Sequence, residues 1–191
     1  AMLEATDTEI GRLLESMDKE TRENTIVMII GDNGTGGQTA QANIKASGAK
    51  GSLHVGGVNT PMVVNNPYYN GQGKNYTNII SSIDFYPTVI QMLGLNLKTE
   101  KSGKSFYPLV SGNSNSYAGH EFIFTQNLEE AAVISDSYRL IRTNEGQERF
   151  YNLENDFYER NNLISSGLSS AQDKILNDHQ KALDKYLNGN Y

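Results

Sequence analysis

The spacing of hydrophobic positions changes along this chain, and each spacing predicts a different element. Over residues 1–17, Leu3, Thr6, Ile10, Leu13, Leu14 and Met17 recur at the i, i+3, i+4, i+7 interval of one buried helix face. No capping residue precedes them, so the chain reads as starting inside a core helix. Residues 18–24 form a charged connection into an unbroken apolar run, Ile26-Val27-Met28-Ile29-Ile30. A surface strand alternates apolar and polar residues, so this run predicts a strand buried on both faces, as parallel strands are. Pro61-Met62-Val63-Val64 predicts a second such strand, ended by Asn65-Asn66-Pro67. Asp84 is an expected N-cap for a helix with Pro87 in its first turn, reaching about Leu93 and stopped by Gly94.

Residues 112–119, made of Asn, Ser and Gly with little else, are the best linker candidate. Beyond them the pattern shifts to short strand candidates at 121–126, 131–135, 138–143 and 149–153. Ser135-Asp136-Ser137 and Asn144-Glu145-Gly146 separate them as turns. A capping box over Ser169 to Gln172 then opens a helix with Ile175, Leu176, His179, Ala182, Leu183, Tyr186 and Leu187 on one face. His179 reads as a packed helix residue rather than a ligand. The pattern thus predicts an α/β portion over 1–112, followed by a small antiparallel sheet with a terminal helix over 118–191.

Composition narrows the partners. The net charge of −6 and the lack of a Lys/Arg cluster argue against nucleic acid. With no cysteine there is neither a disulfide framework nor a zinc–thiolate site. No apolar run approaches the ~18 residues that a membrane span needs. Residue 1 reads as a cut or a cloning remnant. The Tyr-, Asn- and Gly-rich segment 68–75 reads as a surface loop whose aromatics either stack on a sugar ring or are ordinary exposed tyrosines.

The candidate chemistry lies after the first strand. Gly31 allows a sharp turn that delivers Asp32 and Asn33 at the strand's carboxyl end, where open α/β sheets bind ligands. A carboxylate and an adjacent amide oxygen are a partial set of hard ligands for Ca²⁺ or Mg²⁺, too few by themselves. Asp-Asn-Gly is also ordinary turn chemistry. The irregular Thr35-Gly36-Gly37-Gln38-Thr39 that follows fits a loop better than a hairpin. Lys50 is either a solvated loop lysine or an ammonium aimed at an anion. His54, four residues on, is a packed or solvent-facing loop histidine or a group behind the pocket.

Residues 25–34 with Lys50-Gly51-Ser52-Leu53-His54-Val55-Gly56-Gly57-Val58-Asn59-Thr60-Pro61 resemble the C-terminal half of the sulfatase family, in the alkaline-phosphatase-like superfamily. Architectural segments of the family have counterparts too: Ile10-Gly11-Arg12-Leu13-Leu14, Asp84-Phe85-Tyr86-Pro87-Thr88, 103–109, Tyr138-Arg139-Leu140-Ile141, and Phe150-Tyr151-Asn152-Leu153 with Asp156, Glu159, Asn162 and Leu163. Val55 stands where the family has Glu and Asn59 where it has Arg. Losing both members of such a pair leaves no unpaired buried charge.

The resemblance implies a partial alkaline-phosphatase-like three-layer sandwich followed by the small antiparallel sheet and terminal helix. It implies Asp32 and Asn33 as calcium ligands, with Mg²⁺ as an alternative, and Lys50 as a sulfate contact; His54 is a further candidate by its position near Lys50. The family's nucleophile is a formylglycine made within a Cys/Ser-x-Pro-x-Arg motif. None of the four prolines here sits in such a motif. The chain therefore reads as a C-terminal fragment of an enzyme that hydrolyses sulfate esters. It is expected to be inactive alone, to bind Ca²⁺ weakly if at all, and to oligomerise through exposed sheet edges. The implied partners are a sulfated small molecule or carbohydrate and the N-terminal portion of the same enzyme, with a periplasmic or extracellular location. The alternatives are a fragment of a related phosphodiesterase or phosphoryl-transfer enzyme, which carries Asp-His where Asp32-Asn33 stand, and a non-catalytic carbohydrate-binding or structural module.

Overall fold

Backbone pairing in the computed structural model, which describes residues 2–46, 48–69, 73–95 and 102–189, builds two separate antiparallel sheets. The elements run α1 (Met2–Glu15), α2 (Lys19–Glu23), β1 (Val27–Ile30), α3 (Ala42–Ala46), α4 (Val55–Val58), β2 (Met62–Asn65), α5 (Phe85–Met92) and α6 (Tyr107–Val110). They continue through β3 (Ile123–Gln126), β4 (Glu130–Ile134), β5 (Tyr138–Thr143), β6 (Glu148–Asn152), α7 (Leu163–Ser166) and α8 (Ser170–Leu187).

The second sheet is a meander, β3-β4-β5-β6, with each strand antiparallel to the last. Successive side chains of a strand point to opposite faces, and here both faces are covered. Ala131, Val133, Leu140 and Phe150 pack on one face against Leu176, Ala182 and Leu183 of α8. Ala132, Ile141 and Tyr151 pack on the other face against Leu53 and Val58. Helix α8 starts at the expected capping box: Ser169 Oγ accepts from Gln172 N–H, and the Gln172 side chain accepts from Ser169 N–H. His179 is buried on its inner face, as expected. It is ringed edge-on by Phe122 and Phe150.

The first sheet departs from the parallel pair expected. Strands β1 and β2 are antiparallel, with Val27 opposite Asn65 and Ile30 opposite Met62. The segment between them loops back to the end of β1 it left, where Gly31 N–H donates to Pro61 C=O at 3.0 Å. Nor are the strands buried on both faces, since Ile30 is 45% exposed and Val63 61%. The same holds for α1, which keeps its amphipathic pattern yet has no buried residue. One face of this two-stranded sheet is half-buried at Met62 and Val64, and the other, bearing Val63, is open.

Two local readings also change. Residues 18–24 are a short helix rather than a connection, because the Asp18 carboxylate accepts from Thr21 N–H and caps it. Asp84 stands at the N-cap position of α5, as expected, but its side chain makes no cap bond to that helix. Ser81 is the cap of the preceding 3₁₀ turn, and Asp84, fully buried, is the third residue of that capping box. Its carboxylate also accepts from Lys104 N–H at 2.7 Å and meets His120 Nε2 at 2.8 Å. This polar knot ties 81–88 to 104–120, with Phe106 N–H donating to Thr88 Oγ1. The expected linker 112–119 is tied down by it, through Lys104 Nζ to Gly119 C=O and Tyr117 Oη to Ile79 C=O. Burial, with the Asp84 charge adding to it, pushes the Tyr117 hydroxyl up to about 12. Of segment 68–75, residues 70–72 lie outside the described residues; Tyr68 is exposed.

Candidate functional site

The turn after β1 is organised around one carboxylate. Asn33 donates both its backbone N–H and its side-chain Nδ2 to Asp32 Oδ1, each at 2.9 Å. That leaves Asp32 Oδ2 and Asn33 Oδ1, two hard oxygens on adjacent residues, with no hydrogen bond among the described residues. Asp32 is exposed and Asn33 half-buried. The donor set fits a hard divalent cation in kind and falls short in number. No group of three or more His, Asp or Glu among the described residues gathers to hold a metal.

Three glycines bring the Lys50 segment against this turn. Gly34 N–H donates to Gly57 C=O at 2.8 Å, and Thr35 N–H to Gly56 C=O at 3.1 Å. A Cβ on Gly34 would lie 2.1 Å from Gly56 O, and one on Gly56 2.0 Å from Gly48 O. A Cβ on Gly57 would meet Ser52 O at 2.1 Å. Only residues without a side chain let these backbones interlock. Lys50 N–H then donates to Thr35 C=O at 2.9 Å, so the lysine enters the same loop cluster as Asp32 and Asn33. Its side chain is exposed.

His54 turns the other way, towards the C-terminal sheet. Its Nδ1 lies 3.1 Å from Glu159 Oε2, its Nε2 lies 3.1 Å from Arg149 Nη1, and its ring meets Tyr151 edge-on. The Arg149 guanidinium can only donate, so Nε2 accepts from it and Nδ1–H donates to Glu159. The same Glu159 oxygen accepts Val55 N–H at 2.7 Å, and Oε1 accepts Arg139 Nη1 at 2.6 Å. Burial holds the Arg139 guanidinium below its ordinary range while Glu159 opposes the shift. Arg149 also pairs with Glu130, and Asn127 Nδ2 donates to Gly51 C=O at 3.2 Å.

The structure therefore brings the backbone of Lys50 against the Gly34–Thr35 turn that follows Asp32 and Asn33, and turns His54 toward the C-terminal sheet. Sequence reasoning missed the bonding role of Glu159 and Arg139, which had been read as parts of architectural runs. One usable signal was present: a Glu at the end of Asp156-Phe157-Tyr158-Glu159, in a segment with little helical or strand pattern.

Comparison with known proteins identifies the family. The model for Sulfatase matches residues 1–95, and that for N-sulphoglucosamine sulphohydrolase, C-terminal, matches residues 50–187. The chain belongs to this sulfatase family, in the alkaline-phosphatase-like superfamily. A sulfatase of Formosa agariphila is 27% identical over 197 residues, covering 88% of this chain and 35% of that protein. The Delta 4,5-hexuronate-2-O-sulfatase of Bacteroides thetaiotaomicron is 26% identical over 175 residues, covering 86% and 35%. Among solved structures, Ps i-CgsB in complex with k-i-k-neocarrahexaose aligns with a TM-score of 0.78 at 24% identity, over 97% of this chain and 41% of that one. The phosphonate monoester hydrolase of Agrobacterium radiobacter aligns at 0.73 with 16% identity, over 97% and 39%. These two establish the fold alone. The chain spans about a third of the length of the curated relatives it matches.

Proposed function

We propose that this chain is the C-terminal portion of a sulfatase that hydrolyses sulfate esters, with residues 1–112 completing its α/β core and 118–191 forming a subdomain behind the site. The observation that carries this reading is the locked backbone in which the turn after Asp32 and Asn33 is held against Lys50 and against Gly56 and Gly57. Asp32 and Asn33 would hold one side of a calcium ion, Mg²⁺ being the alternative, with Asp32 Oδ2 and Asn33 Oδ1 as the ligand atoms. A bound cation there supplies positive charge at the sulfate, and a formylglycine supplies the nucleophile. The remaining ligands and the formylglycine motif belong to sequence outside this chain. Lys50 would add a mobile ammonium to offset charge on the ester oxygens as the S–O bond breaks. His54 enters only through its place behind Val55.

A hexuronate sulfatase among the relatives supports a sulfated carbohydrate as substrate. No described helix is long and apolar enough to cross a membrane. The uncovered faces of α1 and of the β1–β2 sheet support an N-terminal portion of the same enzyme as the physical partner. Phosphoryl-transfer enzymes of the same superfamily are the alternative reading. Asn33 argues against it, since those enzymes carry His there.

The test is turnover of paired aryl sulfate and aryl phosphate esters by the enzyme formed from this chain and the upstream coding sequence. Sulfate should be preferred, and D32A and K50A should each lower kcat/KM by about 10²-fold or more, the scale of losing one electrostatic stabiliser. The 191-residue chain alone should show no metal-dependent turnover. Preference for the phosphate ester, or full activity in both variants, would remove the reading.

A further inference from the structure

Glu159 is placed at unusual local expense for a residue far from the candidate ligands. It is the only described non-glycine residue at positive φ, at +55°, and its carboxylate is buried. A bulky non-glycine residue in the left-handed region is strained and persists where its surroundings require it. What requires it here is a set of three donors from two parts of the chain. Arg139, on β5, holds Oε1. Val55 N–H, at the first residue of α4, and His54 Nδ1 hold Oε2.

From there an unbroken relay of backbone contacts leads to the site. Val55 is followed by Gly56 and Gly57, whose carbonyls accept from Thr35 and Gly34, and Thr35 C=O in turn accepts from Lys50 N–H. We propose that Glu159 is the positioning residue of this site. Reached from the C-terminal sheet and anchored on Arg139, it fixes the first turn of α4, and through Gly56 and Gly57 it sets the turn bearing Asp32 and Asn33 and the entry to Lys50. His54 is the second contact of this brace. It relays the hold to Arg149 and Glu130, and contacts no substrate. The placement of the turn is a property of the fold; its importance for catalysis rests on the sulfatase reading above.

Residue-resolved amide hydrogen exchange on the 191-residue chain, without metal or substrate, tests this. The amides of Gly34, Thr35 and Lys50 report the relay, and those of Leu140 and Ile141 report the C-terminal sheet. In E159Q, exchange at the three relay amides should accelerate at least tenfold relative to Leu140 and Ile141. In H54A, which leaves Glu159 bonded to Arg139 and Val55, it should accelerate about threefold. A purely structural role would speed both sets together, and that outcome overturns the proposal, as does an unchanged ratio in E159Q. If E159Q loses all protection at Leu140 and Ile141, H54A decides by the same ratio, and an unchanged ratio there overturns it. The experiment measures no turnover. Loss of the brace and failure of D32A or K50A to affect an aryl sulfate assay are therefore separate results.

Discussion

The two sheets of this protein are both antiparallel, yet they stand in opposite relations to solvent. The four-stranded sheet β3–β6 is closed on both faces, by α8 on one side and by Leu53 and Val58 on the other. Val133, Leu140, Ile141 and Phe150 within it are fully buried. The two-stranded sheet β1–β2 is just as apolar, yet half-exposed, and the apolar stripe of α1 meets solvent. The difference lies in what each element finds within this chain, since β1 is, if anything, the more hydrophobic strand. Apolar burial contributes roughly 25 cal/mol per Å², so stability concentrates in the C-terminal region. The region bearing Asp32 gains its order through contacts with it, at Glu159, Asn127 and Leu53.

The sharpest way to break this contrast is to empty the closed core. Phe150 is fully buried, stacks on Tyr138 at 5.2 Å between ring centroids and meets His179 edge-on. F150A should cost about 3–5 kcal/mol, a large fraction of the 5–15 kcal/mol typical of a domain. Urea unfolding followed by circular dichroism measures it. A loss below about 1 kcal/mol would mean that the sheet and α8 do not form the stable unit.

A second effect, smaller and dependent on pH, comes from the same core. His179 is buried among Phe122, Tyr138 and Phe150, with Nδ1–H donating to Ile175 C=O and Nε2 facing Ser135 Oγ. Burial lowers its pKa below the ordinary value, against weaker opposing contributions from Ile175, Tyr138 and the Asp178 charge. The unfolded chain therefore takes up the proton first as pH falls. The stability from keeping His179 neutral is full above about pH 6.5, the ordinary histidine value. It declines as pH drops from there through the lower folded-state value. Urea midpoints should fall over this window for the wild-type chain and fall less for H179L. Parallel pH profiles would show that His179 is not the proton acceptor.

How much of this was legible beforehand follows the same division. In the C-terminal region the sequence carried its own answer. The strand candidates 131–135 and 138–143, the Asn144-Glu145-Gly146 turn and the Ser169–Gln172 capping box all reappear, because local pattern and local packing agree there. The run 26–30 gave a strand with the right limits and the wrong partner direction. Apolar continuity reports how many faces a strand expects to bury, and strand direction depends on how a thirty-residue excursion returns, which no local pattern encodes. At the candidate site, Asp32 and Asn33 were proposed from hard-oxygen chemistry at a strand end and Lys50 from the Gly-Gly-x-x-x-Pro that follows it, and the backbone bonds bring those segments together. Glu159 could not be given its role, since a bond spanning 104 residues to Val55 N–H leaves no trace in either segment's composition.

The smallest expected effect is the one that most directly tests the open side of the comparison. Leu13 lies on the apolar stripe of α1 and is 61% exposed. Glutamine has nearly the helix propensity of leucine, so L13Q changes burial and little else. If α1 is as uncovered in solution as its surface implies, the variant should unfold within about 0.5 kcal/mol of the wild-type chain at low micromolar concentration. At higher concentration the wild-type chain should self-associate more than L13Q in sedimentation velocity. A stability loss in L13Q comparable to that of F150A, independent of concentration, would mean that the stripe is packed within the chain. The contrast between a closed and an open region would then disappear.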